Sequence, residues 1–137
     1  TDDGSADSYP TEGEIIAATA QQYLGCDYVY GGSSPSGFDC SGFTQYVMRL
    51  CGYSINRGAG GQVRNGVAVS RSELQPGDLV FFNDPSRNKG KACSHAGIYI
   101  GNGQHVHASS SRNGGVITSD LTSGYYNTYF VGGLRLS

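Results

Sequence analysis

Tyr28-Val-Tyr-Gly-Gly-Ser-Ser-Pro-Ser-Gly-Phe-Asp-Cys-Ser-Gly-Phe43 is a glycine-rich approach that ends in Asp39-Cys40-Ser41-Gly42 and runs directly into a helical pattern. From Phe43 the apolar residues fall at Phe43, Tyr46, Val47, Leu50 and Cys51, the i, i+3, i+4, i+7, i+8 stripe of an amphipathic helix. Gly52 stands where a C-terminal glycine stop belongs. Cys40 is therefore expected at the first turn of a helix whose other face is buried. Unpaired N–H groups and the positive end of the helix dipole favour thiolate over thiol at such a position. Most cysteines are small core residues or disulfide halves. This one sits among polar residues and glycines, and a histidine-bearing strand pair follows later in the chain. The pairing points to a nucleophile and its base.

The 137 residues fit one domain, with 1–10 read as a polar linker or tail and 11–137 as the folded unit. The opening Thr1-Asp-Asp-Gly-Ser-Ala-Asp7 looks like the end of a linker in a longer secreted protein. Net charge is −2 with no Lys/Arg block, which argues against a nucleic-acid partner. No apolar run reaches membrane-spanning length. Twenty-two glycines and ten tyrosines, with no tryptophan, describe a turn-rich and strand-rich domain. Cys26, Cys40, Cys51 and Cys93 make an even count that suits two disulfides in an oxidising compartment. A catalytic Cys40 must stay free, leaving at most one bridge. Cys51 continues the buried helix face, so Cys26–Cys93 is the one pairing to entertain.

Thr11-Glu-Gly-Glu14 reads as a capping box that opens a helix with Ile15, Ile16, Thr19, Ala20, Tyr23 and Leu24 on its inner side, stopping at Gly25. Ile55 to Gly66 is weakly patterned, a loop with at most a short helix around Gln62. From Val67 the period becomes that of a strand. Leu74-Gln-Pro-Gly-Asp78 is a turn, and Leu79-Val-Phe-Phe82 a strand buried on both faces. Asn83 to Gly90 is a polar loop, and the charges of Arg87, Lys89 and Lys91 are read as solvated. Val116-Ile-Thr118 and Phe130 to Leu136 supply further strands, with Tyr125-Tyr126 in a connecting loop.

Ser94-His-Ala-Gly-Ile-Tyr-Ile100, then Gly-Asn-Gly, then Gln104-His-Val-His-Ala-Ser109, form a hairpin with an Asn-Gly turn. Ala96, Ile98 and Ile100 give the apolar face of one strand, Val106 and Ala108 that of the other. These faces coincide only if the loop holds an odd number of residues, or an even number plus one bulge. That register puts His107 across from Gly97 and diagonal to His95, within reach of two imidazoles. His107 can then fix the tautomer of His95 while the other nitrogen of His95 faces the thiol. His105 is read as out of parity with this pair and tolerant of change.

The blocks Tyr28-Val-Tyr-Gly-Gly32, Phe38-Asp-Cys-Ser-Gly-Phe43, Leu74 to Phe82, Ser94 to Gly103 and His107-Ala108 resemble the NlpC/P60 cell-wall peptidases. The resemblance runs from about Gln21 to the C-terminus and includes Arg57 and Gln62. It implies a papain-like α+β fold, a cysteine-bearing helix packed on an antiparallel sheet. It implies a secreted or wall-associated bacterial enzyme that hydrolyses peptidoglycan stem peptides, usually at the D-γ-glutamyl–diamino acid bond, as a monomeric domain without a cofactor. By position, Cys40 becomes the nucleophile, His95 the base and His107 the polar third member. Tyr28 stands beside the thiol, where its hydroxyl helps the Cys40 N–H stabilise an oxyanion. Asp39, Ser41 and Ser94 line the pocket for the N-terminal end of the stem. Such a pocket is small and anionic and suits a free L-Ala ammonium. Tyr30 replaces a common tryptophan, His105 replaces an apolar residue, and Cys93 is unexpected.

Two other readings compete. Cys93, His95, His105 and His107 on one hairpin are a conceivable zinc set, which would leave the Tyr28–Phe43 block unexplained. A non-catalytic wall-binding module would keep the fold but normally lose one of the three catalytic residues, and all three are present.

Overall fold

The computed structural model describes residues 9–90, 93–111 and 114–136. Most of the expected linker, and Lys91, lie outside them. Thr11 caps the first helix, α1 (Glu12–Gln21), through the anticipated reciprocal box with Glu14. Ile16, Ala17 and Ala20 face inward and Ile15 stays exposed; the helix ends at Gln21 rather than running to Gly25, and Leu24 lies exposed in the turn that follows. A small hairpin, β1 (Ser33–Ser34) and β2 (Gly37–Phe38), leads into α2 (Cys40–Leu50). Phe43, Thr44, Val47 and Met48 form the inner face of α2, and Leu50 at its end is exposed. The short helix expected at Gln62 is α3 (Ala59–Gln62).

The remaining strands are β3 (Val67–Val69), β4 (Leu79–Phe82), β5 (His95–Gly101), β6 (Gln104–Ser109), β7 (Gly115–Asp120) and β8 (Phe130–Arg135), with a fourth helix α4 (Gly124–Tyr129) between the last two. They make one antiparallel sheet in the order β3-β8-β4-β5-β6-β7. The fold is α+β, as expected. Tyr125 and Tyr126 lie on α4 rather than in a loop.

Strand alternation divides the core. Leu79 and Phe81 of β4, Ala96 and Ile98 of β5, and Val106 and Ala108 of β6 pack with Phe38, Phe43, Val47 and Met48 from the helix side. Val80 and Phe82 turn the other way and meet Leu121, Tyr99, Tyr126, Tyr129 and Phe130. β4 is therefore covered on both faces, which explains its unbroken apolar run.

The hairpin takes the even-loop alternative. Its turn is Asn102-Gly103, both at positive φ (55° and 74°), and a register shift between Tyr99 and Gly101 supplies the bulge. Ile98 pairs Val106 and Tyr99 pairs His105, so the apolar faces coincide. His105 and His107 are two residues apart on β6 and share a face. His105 thus lies beside the pair, correcting the reading that put it out of parity.

Candidate active site

The site is an open cleft of about 750 Å³ lined by residues from four regions: Tyr28 and Tyr30 with the start of α2, Gly58–Gly61 at α3, the β4–β5 loop with the start of β5, and Ala108–Ser110 with α4. Cys40, His95, Tyr28, Asp39, Ser41 and Ser94 all line it, so the structure gathers these candidates in one place. His107 stands behind His95, fully buried.

The cysteine wall is a hydrogen-bonded lattice. Asp39 caps α2, its Oδ1 accepting the Gly42 N–H at 2.7 Å, while its Oδ2 takes Arg57 Nη2 at 2.9 Å and the Gly31 N–H at 3.1 Å. Arg57 also donates from Nη1 to Ser41 Oγ at 2.9 Å. Behind it, buried Gln62 accepts from Thr44 Oγ1 at 2.7 Å and donates to the carbonyls of Ser41 (3.0 Å) and Asn56 (2.9 Å). Gly42 is obligatory here, since any side chain would collide with the carbonyl oxygen of Gly32. The charge of Asp39 is met by Arg57, so this wall is near neutral rather than anionic. The electrostatic case for a free-ammonium pocket weakens accordingly. Ser94 is also engaged, accepting from the Asp84 N–H at 2.9 Å and donating to the Phe82 carbonyl at 3.3 Å.

The histidine wall is built by burial. His95 Nε2 and His107 Nδ1 are 2.8 Å apart, and His107 Nε2 lies 2.8 Å from Ser119 Oγ on β7. For His95 to act as a base through Nδ1, its proton must sit on Nε2 and be donated to His107 Nδ1. His107 then carries its proton on Nε2 and donates it to Ser119. Ser119 is the member that sequence reading missed. It lies opposite His105 in the β6–β7 register, and no motif marks it. His105 stacks on His107 (4.5 Å between centroids, 21°), and Tyr126 stands edge-on to both rings. Neither nitrogen of His105 has a hydrogen-bonding partner among the described residues. Gly97 makes the room: a Cβ there would lie 2.9 Å from His105 Cδ2 and 3.1 Å from the Cβ of His107.

Burial dominates the protonation states. The Cys40 sulfur is largely shielded from water, which pushes its thiol up; the N–H of Ala96 beside it and the first amides of α2 oppose this without overturning it. The expected thiolate preference is thus outweighed in the resting site. Burial lowers His95 to about 4, helped by the Arg87 charge, and lowers His105 to about 3. His107 falls further still, again chiefly by burial. Each group, taken alone, resists charge.

All four cysteines are free thiols, so Cys26 and Cys93 are not bridged. Cys93 is buried next to the cleft, its thiol pushed up to about 11 by burial and by nearby Cys40. Among the described residues no three His, Cys, Asp or Glu side chains converge as ligands, and the facing nitrogens of His95 and His107 meet each other.

Comparison with known proteins places this architecture. Residues 25–135 match the NlpC/P60 family. The chain is 43% identical over 117 residues to a protein named probable endopeptidase p60 of Listeria seeligeri, covering 85% of this chain and 21% of that protein. It is 40% identical over 112 residues to a gamma-D-glutamyl-L-lysine dipeptidyl-peptidase of Bacillus cereus, covering 81% of this chain and 33% of that protein. The chain thus spans only about a fifth to a third of the length of these relatives. An NlpC/P60 family protein from Bacillus cereus superposes with a TM-score of 0.81 at 36% identity, over 92% of this chain and 40% of that one. The NlpC/p60 domain of the peptidoglycan hydrolase SagA superposes at 0.75 with 33% identity, over 90% of this chain and 98% of that one. On the family match over residues 25–135 and these likenesses, the chain belongs to the NlpC/P60 family.

Proposed function

We propose that this domain is a cysteine endopeptidase of bacterial peptidoglycan that cleaves stem peptides at the D-γ-glutamyl–diamino acid bond. The observation that carries the reading is the thiol at the start of α2 sharing one cleft with the His95–His107–Ser119 relay. His95 Nδ1 takes the proton of the Cys40 thiol as the sulfur attacks the scissile carbonyl carbon. The oxyanion is met by the Cys40 N–H and the Tyr28 hydroxyl. Collapse breaks the C–N bond, and the imidazolium gives its proton to the leaving amine. Water then attacks the thioester with His95 again as base, releasing the γ-glutamyl carboxylate and restoring the thiol. His107 stabilises the imidazolium and holds the tautomer. Asp39, Ser41 and Ser94 shape the wall against which the acyl part lies.

The names of the relatives support the substrate class, and among the described residues no helix is long and apolar enough to cross a membrane. We place the protein at or outside the bacterial cell surface on the names of these relatives alone. Mass spectrometry of muropeptides after digestion tests the reading. New amino termini on the diamino acid are expected, and cleavage elsewhere in the stem, or none, overturns it.

A further inference from the structure

The cleft wall facing away from Asp39 carries charge that the reaction above leaves unused. Arg87 and Lys89 belong to the β4–β5 loop, are exposed, and line the same cleft as Cys40 and His95. The Arg87 guanidinium donates from Nη2 to Ser110 Oγ at 3.2 Å. Among the described residues, the ion pairs are Arg57–Asp39 and Arg135–Asp78, so the two cations of this wall have none. Asp84, in the same loop, accepts from the Ser86 N–H (2.9 Å), the Ser86 hydroxyl (2.7 Å) and the Tyr125 hydroxyl (2.7 Å), and the Arg87 charge helps hold its carboxyl low, so Arg87 and Lys89 against Asp84 leave this loop with a net positive charge. The loop is tied further by the Arg87 N–H to the Asp84 carbonyl (2.9 Å) and by Asn88 to Asn83 (2.7 Å). The guanidinium is therefore held towards the cleft by a braced loop, with hydrogen-bonding capacity to spare.

We propose that Arg87, with Lys89 beside it, binds a carboxylate of the substrate residue on the leaving side of the scissile bond. The inference rests on the endopeptidase reading for its assignment of sides. His95 must protonate the leaving amine, so the leaving residue lies against His95. The Arg87 charge is felt at His95 and at Tyr126, whose ring packs 6.0 Å from that of His95. The Asp39–Arg57 pair closes the acyl wall, so one wall is neutralised internally and the other is left cationic. A guanidinium at a water-accessible rim binds a planar carboxylate well through two N–H groups. The diamino acid can offer that carboxylate from its main chain, when it ends the peptide, or from its side chain, when it is of the diaminopimelate kind.

Four synthetic peptides separate these sources. All begin L-Ala-γ-D-Glu; they end in lysine, in lysinamide, in diaminopimelate amidated only at its main-chain carboxyl, and in diaminopimelate amidated at both. The wild-type protein is expected to lose about tenfold in kcat/KM when the bound carboxylate is amidated, the size of a hydrogen bond to a charged group at a partly exposed site. A drop between the lysine peptides assigns the main-chain carboxylate; a drop between the diaminopimelate peptides assigns the side chain. Arg87→Gln should erase the difference, and Arg87→Glu should invert it, with unchanged melting temperatures. Equal wild-type rates within both pairs, or a preference that survives Arg87→Gln, overturn the proposal. If the wild type cleaves none of the peptides, the endopeptidase reading fails. NMR titration of the Cys40→Ala protein then decides the subsite: carboxylate-dependent shifts at Ser110 and Tyr125 support it, and identical binding of acid and amide overturns it.

Discussion

The two halves of the proposed catalytic pair are held by opposite means. Around Cys40, Asp39, Arg57, Ser41, Thr44 and Gln62 bond to one another and to the backbone. Around His95 and His107, apart from the two contacts of the relay, the rings of Phe82, His105 and Tyr126 fill space. A lattice of directed bonds fixes the direction of the nucleophile, while an apolar cage fixes the charge state of the base. The lattice should fail through unpaired groups, and the cage through protonation.

The largest expected effect breaks the pair itself. Cys40→Ala should lower kcat/KM at least about a thousandfold while far-UV and thermal signals persist, because the residue sits on a cleft wall. Retained turnover in the Ala protein would end the thiol mechanism.

Removing the third ring comes next. His107→Ala should cost more activity than His107→Asn or His107→Gln, which keep a group able to accept from His95. Ser119→Ala should cost only about fivefold, the worth of one neutral hydrogen bond, with kcat rather than KM affected. Steady-state kinetics on the four variants would rank them, and a ranking that puts Ser119→Ala above His107→Ala would undo the relay.

Lattice failure is read in stability. Gln62→Leu leaves the Asn56 carbonyl without its side-chain donor, while the Thr44 hydroxyl can still donate to the Ser41 carbonyl at 3.1 Å, and should cost about 1–2 kcal/mol in urea unfolding. A change under about 0.5 kcal/mol would show that the lattice is decoration.

Cage failure is read in pH. His105 is near 6.5 when unfolded and about 3 when folded, so the unfolded chain binds the extra proton between those values. Stability is full above 6.5 and falls with acid, by up to about 1.4 kcal/mol per pH unit from this residue alone. His105→Leu should therefore flatten the acid side of the melting-temperature profile. The kcat/KM profile, measured before unfolding, should keep its plateau down to about pH 4, where His95 protonates and can no longer take the thiol proton. An acid limb near 6.5 would mean that the cage is wet.

Much of this was legible from spacing. The α2 stripe, the capping box at Thr11 and the doubly buried Leu79–Phe82 follow from local periodicity, and hairpin parity placed His107 by His95. What escaped depends on contacts between distant segments. Ser119 joins the relay only through the β6–β7 register, and Tyr126 reaches the rings only because α4 folds back under the sheet. His105 was misjudged although the strand period of two settles its face. The thiolate expectation for Cys40 weighed the helix end without the desolvation that only tertiary packing creates. Arg87 is exposed in its loop as read, but a loop sequence carries no sign of the cleft beside it.

The order of the sheet has a consequence for synthesis. β8, the last strand in sequence, lies between β3 and β4. While the ribosome has yet to deliver Phe130–Arg135, β4 has one hydrogen-bonding edge bare and the sheet carrying His95 and His107 is unfinished. The thiol at position 40 emerges early, but its base is not seated until that late strand slides into the middle. A product ended before Phe130 would thus carry Cys40 beside an unfinished sheet, with the proposed base His95 on a strand whose neighbour β4 is bare along one edge.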